Sequence, residues 1–457
     1  MELCGQASRN VIFIILQFLR TWSIKENRKP LILRGARQVG KTTAVQLFAL
    51  SFDKFLYLNL EKSQDRALFE NKYPIKELIN AIFFYKNEPK TNGKILLFID
   101  EIQNSPEAVA QLRYFYEDAK DLYVIAAGSL LESLIGKHIS FPVGRVEYMV
   151  VRPCTFEEFL LATNETQSLD ILNSIPLPEF AHDKLLHQFY QYTMIGGMPE
   201  VIQHYVDTND ILMLKPVYDS LVTSYMDDVE KYAPNRTLGN VIRHVILTSF
   251  YHAGSRIKFQ GFGKSNYKSR EIAETMRILE KAMLLYLVYP SIDISLPIQP
   301  DFKKSPKLQL LDTGLVNYVA GLQKQMFGTQ SLTDVYEGKI AEHIVGQELL
   351  AQINTMLPGL HFWVREKKQS SAEVDFLYPY KDMVIPVEVK AGAAGRLRSI
   401  HQFIDRSLHP YAIRIYSGLL KIDREKTINQ TPYLLLNLPF YLVGRINDYV
   451  TWFLKVA

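Results

Sequence analysis

Short runs of apolar residues recur along the N-terminal third of the chain and are separated by segments with helical spacing. The runs at 31–33, 95–99, 122–127 and 148–151 contain almost no polar residue. Strands that are covered on both faces, as in a parallel sheet flanked by helices, lack the alternation of half-exposed strands. This part of the chain is therefore predicted to form a parallel α/β sheet.

Helical spacing of apolar residues dominates the middle of the chain, from about residue 156 to residue 250. After it, Ser269 can cap a helix over residues 270–285, and two strand-like runs lie at 286–289 and 308–311. The apolar face of that helix comprises Ile272, Met276, Leu279 and Met283. A helix followed by two strands predicts a winged-helix-like module.

The same segment is rich in basic residues. Residues 255–308 hold ten Lys and Arg against five Asp and Glu, a local net charge of +5. Four of these cations would face phosphates in a DNA-bound winged helix: Lys264, Lys268, Arg270 and Arg277. Contacts of this kind supply much of the affinity of proteins for DNA. A protein-contact or lid module, or a solvated charged face, would carry the same charge, so both alternatives stay open.

The sequence that follows the first predicted strand fits the pattern G-x-x-x-x-G-K-[ST] of a phosphate-binding loop. The pattern occupies Gly35, Ala36, Arg37, Gln38, Val39, Gly40, Lys41 and Thr42, and Thr43 follows it. In such a P-loop the backbone N–H groups surround the phosphates, the lysine reaches the terminal phosphates and the hydroxyl binds Mg²⁺. The chain is therefore predicted to bind ATP together with Mg²⁺.

Two acidic residues end the second predicted strand. Asp100 and Glu101 directly follow the apolar run at 95–99, roughly sixty residues after the P-loop. In this position an aspartate holds Mg²⁺ and a glutamate polarises the water that attacks the γ-phosphate. ATP hydrolysis, and not only ATP binding, is therefore predicted.

Two further residues are candidates for the same site. Ser129 follows the third predicted strand, at the edge where a parallel sheet meets its ligand. Alternatively, it caps the helical run that begins at residue 130. Arg145, which follows Gly144 in a loop, is a candidate arginine finger that would act within the chain or from a neighbouring subunit. An ordinary exposed arginine is the alternative.

A second group of candidate residues lies nearer the C-terminus. Glu373-Val-Asp375 and Glu388-Val-Lys390 alternate polar and apolar residues, which is typical of strands, and a turn-like segment separates them. A symmetric hairpin would place Asp375 opposite Glu388, and Glu373 opposite Lys390. Mg²⁺ would offset the repulsion of the facing carboxylates, Lys390 would activate a metal-bound water, and Glu342 is a possible further ligand. The alternative is an exposed polar face with a Glu373–Lys390 ion pair.

Composition narrows the class of protein. The chain has 457 residues, of which 47% are apolar and 22% charged, as is typical of folded globular chains with several domains. Its two cysteines, Cys4 and Cys154, exclude a disulfide framework and suit a reducing compartment. The apolar stretch at 11–19 is too short to span a bilayer and is predicted to be an amphipathic helix. We expect a cytoplasmic protein without membrane association.

Taken together, these motifs resemble those of AAA-type ATPases with a C-terminal DUF4143 region. The resemblance extends over about residues 29–391. Its matching stretches are 33–43, 98–103, 127–129, Gly144-Arg145, Gly196-Gly-Met-Pro199, Leu311-Asp-Thr-Gly-Leu315, Gly338-Lys-Ile-Ala-Glu342 and the two tripeptides that hold Glu373, Asp375, Glu388 and Lys390.

The resemblance implies an α/β protein in three parts. These are a P-loop AAA-type ATPase core with a helical extension at 1–215, a helical and winged-helix-like module at 216–322, and a restriction-endonuclease-like α/β domain at 323–457. The DUF4143 region would span about 216–395. In the PD-(D/E)XK nuclease pattern, Glu342 corresponds to the acid of the first helix, Asp375 and Glu388 to metal ligands, and Lys390 to the water-activating lysine.

These inferences lead to one principal hypothesis and one alternative. The principal hypothesis is an ATPase that couples nucleotide turnover to binding of nucleic acid, DNA more than RNA, with Mg²⁺-dependent phosphodiester cleavage by the C-terminal domain. The alternative is a nucleotide-controlled switch whose C-terminal domain only binds nucleic acid or protein. A homo-oligomer is compatible with both. A small-molecule kinase is disfavoured, because no substrate-phosphorylating group of residues accompanies the P-loop.

Overall fold

The computed structural model describes residues 13–71, 73–128, 142–230, 233, 235–322, 338–353, 355, 359–365, 372–392 and 397–456. The chain divides into two compact units, one built largely from residues up to Arg152 and the other largely from Pro153 onward. The finer predicted division, with boundaries after residues 215 and 322, stays a prediction. In the part of the chain just given, no helix is long and apolar enough to cross a membrane.

The first unit alternates strands and helices. Its strands are β1 (Leu31–Arg34), β2 (Lys54–Asn59), β3 (Ile95–Asp100), β4 (Leu122–Gly128) and β5 (Glu147–Val150). Its helices are α1 (Phe13–Ser23), α2 (Lys41–Ala49), α3 (Ser63–Glu70), α4 (Ile75–Tyr85) and α5 (Pro106–Asp118). All four predicted strands of this region are confirmed, within one residue at each end.

The five strands form one parallel sheet in the order β2-β3-β4-β1-β5. A hydrophobic core that includes Leu97, Ile99, Phe69 and Phe115 contains residues of strands β2 to β4 and helices α3 to α5. Because every strand runs in the same direction, the carboxyl ends of β1, β3 and β4 share one edge of the sheet. The loops that leave this edge carry Gly35 and Glu101.

The second unit begins with a long helical region. Its helices are α6 (Phe156–Ala162), α7 (Thr166–Leu172), α8 (His182–Ile195), α9 (Pro199–Thr208), α10 (Lys215–Glu230), α11 (Arg236–Ser249), α12 (Ser269–Lys281), α13 (Thr313–Val319), α14 (Gly338–Ala351), α15 (Arg398–Ile404) and α16 (Ile446–Val456). The predicted helix over 270–285 is confirmed as α12, but it ends at Lys281 and Ser269 is its first residue. The chain leaves the helix there because Met283 has a positive φ of 60° and Leu284 N donates to Leu279 O.

The strands of the second unit lie in three sheets. They are β6 (Leu285–Val288), β7 (Pro290–Ser291), β8 (Lys307–Leu310), β9 (Phe362–Val364), β10 (Glu373–Val374), β11 (Phe376–Tyr380), β12 (Met383–Lys390), β13 (Tyr411–Tyr416), β14 (Lys421–Lys426) and β15 (Pro432–Pro439). The ribbon β6-β8 is antiparallel, β10-β9-β7 is a small mixed sheet, and the large mixed sheet has the order β11-β12-β13-β15-β14.

Two glycine motifs of the sequence meet inside this unit. Gly196 ends helix α8 with a φ of +79°, and the next residue, Gly197, donates its N–H to the Asp312 carboxylate at 2.6 Å. A Cβ on Gly196 would lie 2.3 Å from Asp312 Oδ1, and one on Gly314 would lie 2.1 Å from Ile195 O. Both positions therefore require glycine, and these motifs serve close backbone packing.

Helix α14 is buried along most of its length and carries polar groups into the interior. Glu348 is 2% exposed, and its Oε1 accepts hydrogen bonds from Tyr192 OH at 2.7 Å and Phe156 N at 3.1 Å. Burial raises the pKa of Glu348 to about 7. Burial also lowers the pKa of His343 to about 3, so its ring is neutral at physiological pH. The same helix holds Glu342, about 1.7 turns before Glu348.

Candidate functional site

The P-loop forms a tight turn between β1 and α2. Gly40 has a φ of +90°, in the left-handed region that favours glycine, and it immediately precedes the first residue of α2. A Cβ on Gly35 would lie 2.4 Å from the carbonyl oxygen of Val151, so the loop passes the end of β5 at a distance that only glycine permits. The structure therefore favours glycine at each of these two positions for a different reason, a positive φ at Gly40 and a close backbone approach at Gly35.

Lys41 is oriented into this loop. Its side chain is buried, and Nζ donates to the carbonyl oxygens of Gly35 at 3.0 Å and Ala36 at 2.7 Å. The positive end of helix α2 and the ammonium therefore point to one place, which is the arrangement that binds a phosphate. The remaining loop residues surround it, with Ala36 and Val39 buried, Arg37 and Thr43 partly buried, and Gln38 exposed.

The two halves of the predicted ATP site meet through a hydrogen bond. Thr42 Oγ1 donates to Asp100 Oδ2 at 2.8 Å, although the two residues are 58 positions apart. Tyr57 OH, on the neighbouring strand β2, donates to the same oxygen at 3.3 Å. The other carboxylate oxygen of Asp100 accepts from the backbone N–H of Glu101 at 3.0 Å. The sheet therefore brings the loop hydroxyl and the strand-end carboxylate together.

Glu101 lies at the same edge and is held by polar neighbours. Its backbone has a positive φ of 52°, its carboxylate accepts from Gln103 Nε2, and Arg37 Nη2 lies 4.0 Å away. Burial raises the pKa of both Asp100 and Glu101, and hydrogen bonds lower each pKa in part. Gln103 was not among the predicted site residues. The signal for it was its position two residues beyond the acidic pair.

The predicted metal at this site has suitable residues. A hydroxyl and a carboxylate that already contact each other at the mouth of a phosphate-binding loop are the oxygen ligands that Mg²⁺ takes beside nucleotide phosphates. Thr42 and Asp100 would hold the ion. When bound with the nucleotide, Mg²⁺ would neutralise charge on the phosphate oxygens.

Ser129 and Arg145 are the other two residues that were predicted for this site. Strand β4 ends at Gly128, paired with Arg34 at the P-loop edge, but Ser129 itself lies outside the described residues. Arg145 precedes β5, whose first residue pairs with Leu31, so it lies at the opposite edge of the sheet from the P-loop. There its Nε donates to Glu117 at 3.2 Å. This geometry argues against action within the chain, and action from a neighbouring subunit stays a prediction.

The C-terminal group of carboxylates is assembled from separate elements. The hairpin β11-β12 pairs Phe376 with Val387, which confirms the predicted register and brings Asp375 beside the end of β12. Asp375 Oδ2 accepts from Val389 N at 2.8 Å. The predicted facing of Glu373 and Lys390 is wrong, because Glu373 instead belongs to β10 and pairs with Val364 of β9. In place of the Glu373–Lys390 ion pair of the alternative interpretation, Glu373 pairs with Lys307 and Lys390 pairs with Glu388.

Lys390 interacts with a residue of its own strand. Its Nζ donates to Glu388 Oε1 at 2.7 Å, and Glu388 is 5% exposed. Glu388 Oε2 is buried and has no hydrogen-bond partner among the described residues. Burial raises the pKa of Glu388 and of Glu342, and the nearby Asp375 carboxylate raises both further. The Asp375 carboxylate therefore lies close enough to Glu342 and Glu388 to oppose their ionisation.

A cation that the sequence did not predict lies among these acids. Lys307, the first residue of β8, is 6% exposed, and its Nζ lies 2.9 Å from Glu342, 2.9 Å from Glu373 and 3.4 Å from Asp375. Its interactions with these carboxylates raise the pKa of Lys307 above its usual range. The only signal in the sequence was the basic composition of residues 255–308, and composition does not predict which acidic residues a lysine contacts.

The residues of this cluster, as arranged, do not fit a divalent metal ion. In the part of the chain that the structure describes, no group of three or more His, Cys, Asp or Glu side chains has a metal-holding arrangement. The ammonium of Lys307 occupies the position between Glu342 and Asp375 where a shared ion would bind. The predicted metal-ligand roles of Glu342, Asp375 and Glu388 are therefore not carried into a mechanism.

Comparison with family models divides the chain into three matched regions. Residues 27–160 match the AAA domain, residues 186–326 match a domain of unknown function (DUF8612), and residues 337–436 match a domain of unknown function (DUF4143). The matches confirm the resemblance to AAA-type ATPases with a C-terminal DUF4143 region. The DUF4143 match begins at 337, later than the predicted start near 216. The comparison with curated proteins returns no match.

Solved structures of two other proteins align with much of the chain. The Orc1 protein of Aeropyrum pernix in complex with DNA is 10% identical, with 68% of this chain and 92% of that chain covered and a TM-score of 0.29. The RuvB Holliday junction branch migration motor of Thermotoga maritima is 16% identical, with 62% and 90% covered and a TM-score of 0.29. At these scores the likeness carries no conclusion about function.

Proposed function

We propose that this chain is an Mg²⁺-dependent ATPase that hydrolyses ATP at the P-loop of its first unit. The observation that carries the proposal is the hydrogen bond between Thr42 and Asp100, at 2.8 Å, beside the buried ammonium of Lys41. A mere glycine turn with a surface lysine would show neither feature. The match of residues 27–160 to the AAA domain supports the same reading.

Each residue has a definite part in the proposed reaction. The N–H groups of the loop and Lys41 bind the phosphates, and Lys41 exchanges its carbonyl partners for phosphate oxygens. Glu101 accepts the proton of the attacking water, for which its carboxylate must be ionised. Gln103 orients that carboxylate by donating to it. A neighbouring copy would have to supply Arg145 if that residue stabilises the transition state.

The substitution Lys41→Ala tests this proposal. It removes the only ammonium that the loop buries, so we expect nucleotide binding to weaken and phosphate release to fall by about 100-fold or more. Binding of a fluorescent ATP analogue and steady-state phosphate release measure the two effects. Lys76→Ala, an exposed lysine of α4, is the matched control and should leave both unchanged. Turnover that persists in Lys41→Ala would place the active site elsewhere.

We propose further that the second unit binds nucleic acid, with DNA favoured over RNA. Helix α12 and the ribbon β6-β8 follow each other as in a winged helix, and the four predicted cations around α12 are all exposed: Lys264, Lys268, Arg270 and Arg277. Exposed Lys and Arg on one module are the electrostatic requirement for phosphate binding. Nucleotide turnover in the first unit would regulate this binding.

Cleavage of the bound nucleic acid is the finer form of this proposal. It is supported by the chain order of helix α14, then Asp375 directly before strand β11, then Glu388 and Lys390 on strand β12, which is the order that the nuclease resemblance implies. The alternative, binding without cleavage, is favoured by the position of Lys307 among the carboxylates.

One assay separates the two forms. Single-stranded, duplex and structured DNA and RNA are incubated with the chain, with and without ATP and with Mg²⁺ or Mn²⁺. Degradation that disappears in Asp375→Asn but persists in Asp382→Asn, an exposed aspartate of the hairpin turn, supports cleavage. Binding that depends steeply on salt concentration, without degradation, supports the alternative. If the chain neither binds nor degrades any of these nucleic acids, both forms of the proposal are contradicted.

A further inference from the structure

The carboxylate of Asp100 is held by three hydrogen bonds from three parts of the first unit. Thr42 of α2 and Tyr57 of β2 donate to Oδ2, at 2.8 Å and 3.3 Å. The backbone N–H of Glu101 donates to Oδ1 at 3.0 Å. A carboxylate has about four acceptor positions, so most of them are occupied, and Asp100 is only 5% exposed. The orientation of this group is therefore set before any ligand binds.

Tyr57 is the donor that lies outside both motifs of the predicted ATP site. Thr42 belongs to the P-loop, and Glu101 directly follows Asp100. Tyr57 comes instead from the middle of β2, where it pairs with Phe98 of β3. Side chains two residues apart on a strand point to the same face, so Asp100 shares its face of the sheet with this pair. The phenol hydroxyl therefore reaches the carboxylate that ends the neighbouring strand.

The ring of Tyr57 is held in place by stacking. Its centroid lies 5.5 Å from that of Phe98, at an interplanar angle of 23°, and 6.2 Å from that of Phe55, at 17°. Stacked aromatic pairs contribute favourably beyond the area that they bury, and Phe98 itself is fully buried. The substitution Tyr57→Phe therefore removes the hydrogen bond to Asp100 and retains the packing of the ring.

The direction of this hydrogen bond gives Tyr57 its chemical part. An ionised carboxylate only accepts, so the phenol hydroxyl is the donor. Groups that hydrogen-bond to a metal-binding carboxylate hold it in the orientation that the metal requires, and their loss typically weakens metal binding by about 10- to 100-fold. Asp100 is one of the two residues that would hold Mg²⁺ at this site.

We propose that Tyr57 is a positioning residue of the ATP site, which orients the Asp100 carboxylate for Mg²⁺ and so raises the affinity of the chain for the Mg²⁺ complex of ATP. The inference rests on the proposed ATP site, but it concerns metal binding and not hydrolysis. Tyr57 acts through Asp100. Without the phenol hydroxyl, Oδ2 of Asp100 keeps Thr42 as a donor, which is itself a predicted ligand of the ion.

The test compares nucleotide affinity with and without Mg²⁺. A fluorescent, non-hydrolysable ATP analogue is titrated with the unsubstituted chain and with Tyr57→Phe, in excess Mg²⁺ and in EDTA. We expect equal affinity in EDTA, because the P-loop and Lys41 bind the phosphates in both proteins. Mg²⁺ should increase the affinity of the unsubstituted chain about tenfold more than that of Tyr57→Phe. Tyr114→Phe, an exposed tyrosine of α5, is the matched control and should behave like the unsubstituted chain.

A double substitution shows whether Tyr57 acts through Asp100. Asp100→Asn should reduce the gain in affinity from Mg²⁺, and Tyr57→Phe should then add no further loss. Additive losses overturn the inference, as does an equal gain from Mg²⁺ in Tyr57→Phe and the unsubstituted chain. Weaker binding of Tyr57→Phe in EDTA also overturns it, because Tyr57 would then support the shape of the site. An unsubstituted chain that binds no nucleotide would overturn the proposed ATPase and the inference together.

Discussion

The P-loop and the C-terminal carboxylate cluster are both sites of buried charge, but they are built differently. Residues 35–42 are consecutive, and the loop holds Lys41 through two of its own carbonyl groups. The carboxylate cluster takes its acids from α14, β10 and β12 and its central cation, Lys307, from β8, 35 residues before Glu342. One site is mostly local in sequence, and the other exists only in the folded unit.

The difference concerns which partner satisfies each charge. At the P-loop, backbone groups and one strand-end carboxylate are enough, and the open side of the loop is available for an anion. In the cluster, Lys307 balances acids from other elements of the unit, and Glu388 alone of the four acids pairs with a cation of its own strand. A motif that keeps its spacing therefore identifies the first site reliably, whereas the chemistry of the second depends on neighbours that the motif does not contain.

Helix α14 contains the same contrast on a smaller scale. Glu342 is balanced by Lys307 at 2.9 Å, whereas Glu348 accepts hydrogen bonds from a hydroxyl and a backbone N–H. Glu348 is buried and Glu342 is half-buried, and the pKa of each is raised. Because burial raises the pKa of Glu348 to about 7, its carboxyl is partly protonated in the folded chain near neutral pH.

The largest expected effect tests the local site. In Glu101→Gln the amide cannot accept the proton of the attacking water, so we expect kcat for ATP hydrolysis to fall by about 100-fold or more, with little change in ATP affinity. Single-turnover hydrolysis and equilibrium binding of ATP measure the two quantities separately. Glu77→Gln, an exposed glutamate of α4, should behave like the unsubstituted chain.

Two results would break this half of the comparison. Unchanged hydrolysis in Glu101→Gln would mean that another group activates the water. A large loss of ATP affinity would mean that Glu101 supports the shape of the loop, through Gln103 and Arg37, and not the chemistry.

The smaller expected effect tests the interior of the second unit. The pKa of Glu348 is about 7 in the folded chain and near 4.5 when exposed, so between these pH values the unfolded state releases the proton first. The free energy of unfolding should therefore fall as pH rises through this window, by up to about 1.4 kcal/mol per pH unit from this group. Glu348→Gln should lack that contribution. The free energy of unfolding of the variant should therefore rise relative to that of the unsubstituted chain from pH 5 to pH 7.

Urea unfolding at pH 5, 6, 7 and 8 measures this difference. Glu200→Gln, an exposed glutamate of α9, controls for the substitution itself. The free energy of unfolding of Glu348→Gln and of the unsubstituted chain could instead show the same dependence on pH. That result would show that Glu348 is ionised in the folded state, with a cation that stabilises it as Lys307 stabilises Glu342.

Much of the first unit was predictable from the sequence, because its strands are uninterrupted apolar runs that end in functional residues. Parallel strands bring their carboxyl ends to one edge, which places Thr42 beside Asp100 without further information. Arg145 shows where this reasoning stops. Its loop position was compatible with either edge of the sheet, and only the pairing of β5 with β1 places it away from the P-loop.

In the second unit the sequence predicted elements better than contacts. Alternation and a turn were enough for the register of β11-β12, since a two-residue period fixes which side chains share a face. The separation of Glu373 into β10 was not predictable, because it depends on pairing with β9. Gly196 and Gly314 were visible as motifs, but their reason, a close approach of two backbones, appears only in the fold.

By itself the sequence determined that this chain has a P-loop with its acidic partner residues, a basic middle segment and a set of carboxylates on a hairpin. These follow from spacing, periodicity and turn chemistry, which act over a few residues. The tertiary structure alone decided which cation faces those carboxylates. Coulomb interactions depend on distance in space, and Lys307 reaches Asp375 across 68 positions of chain because the fold brings the first residue of strand β8 to the carboxylate that precedes strand β11.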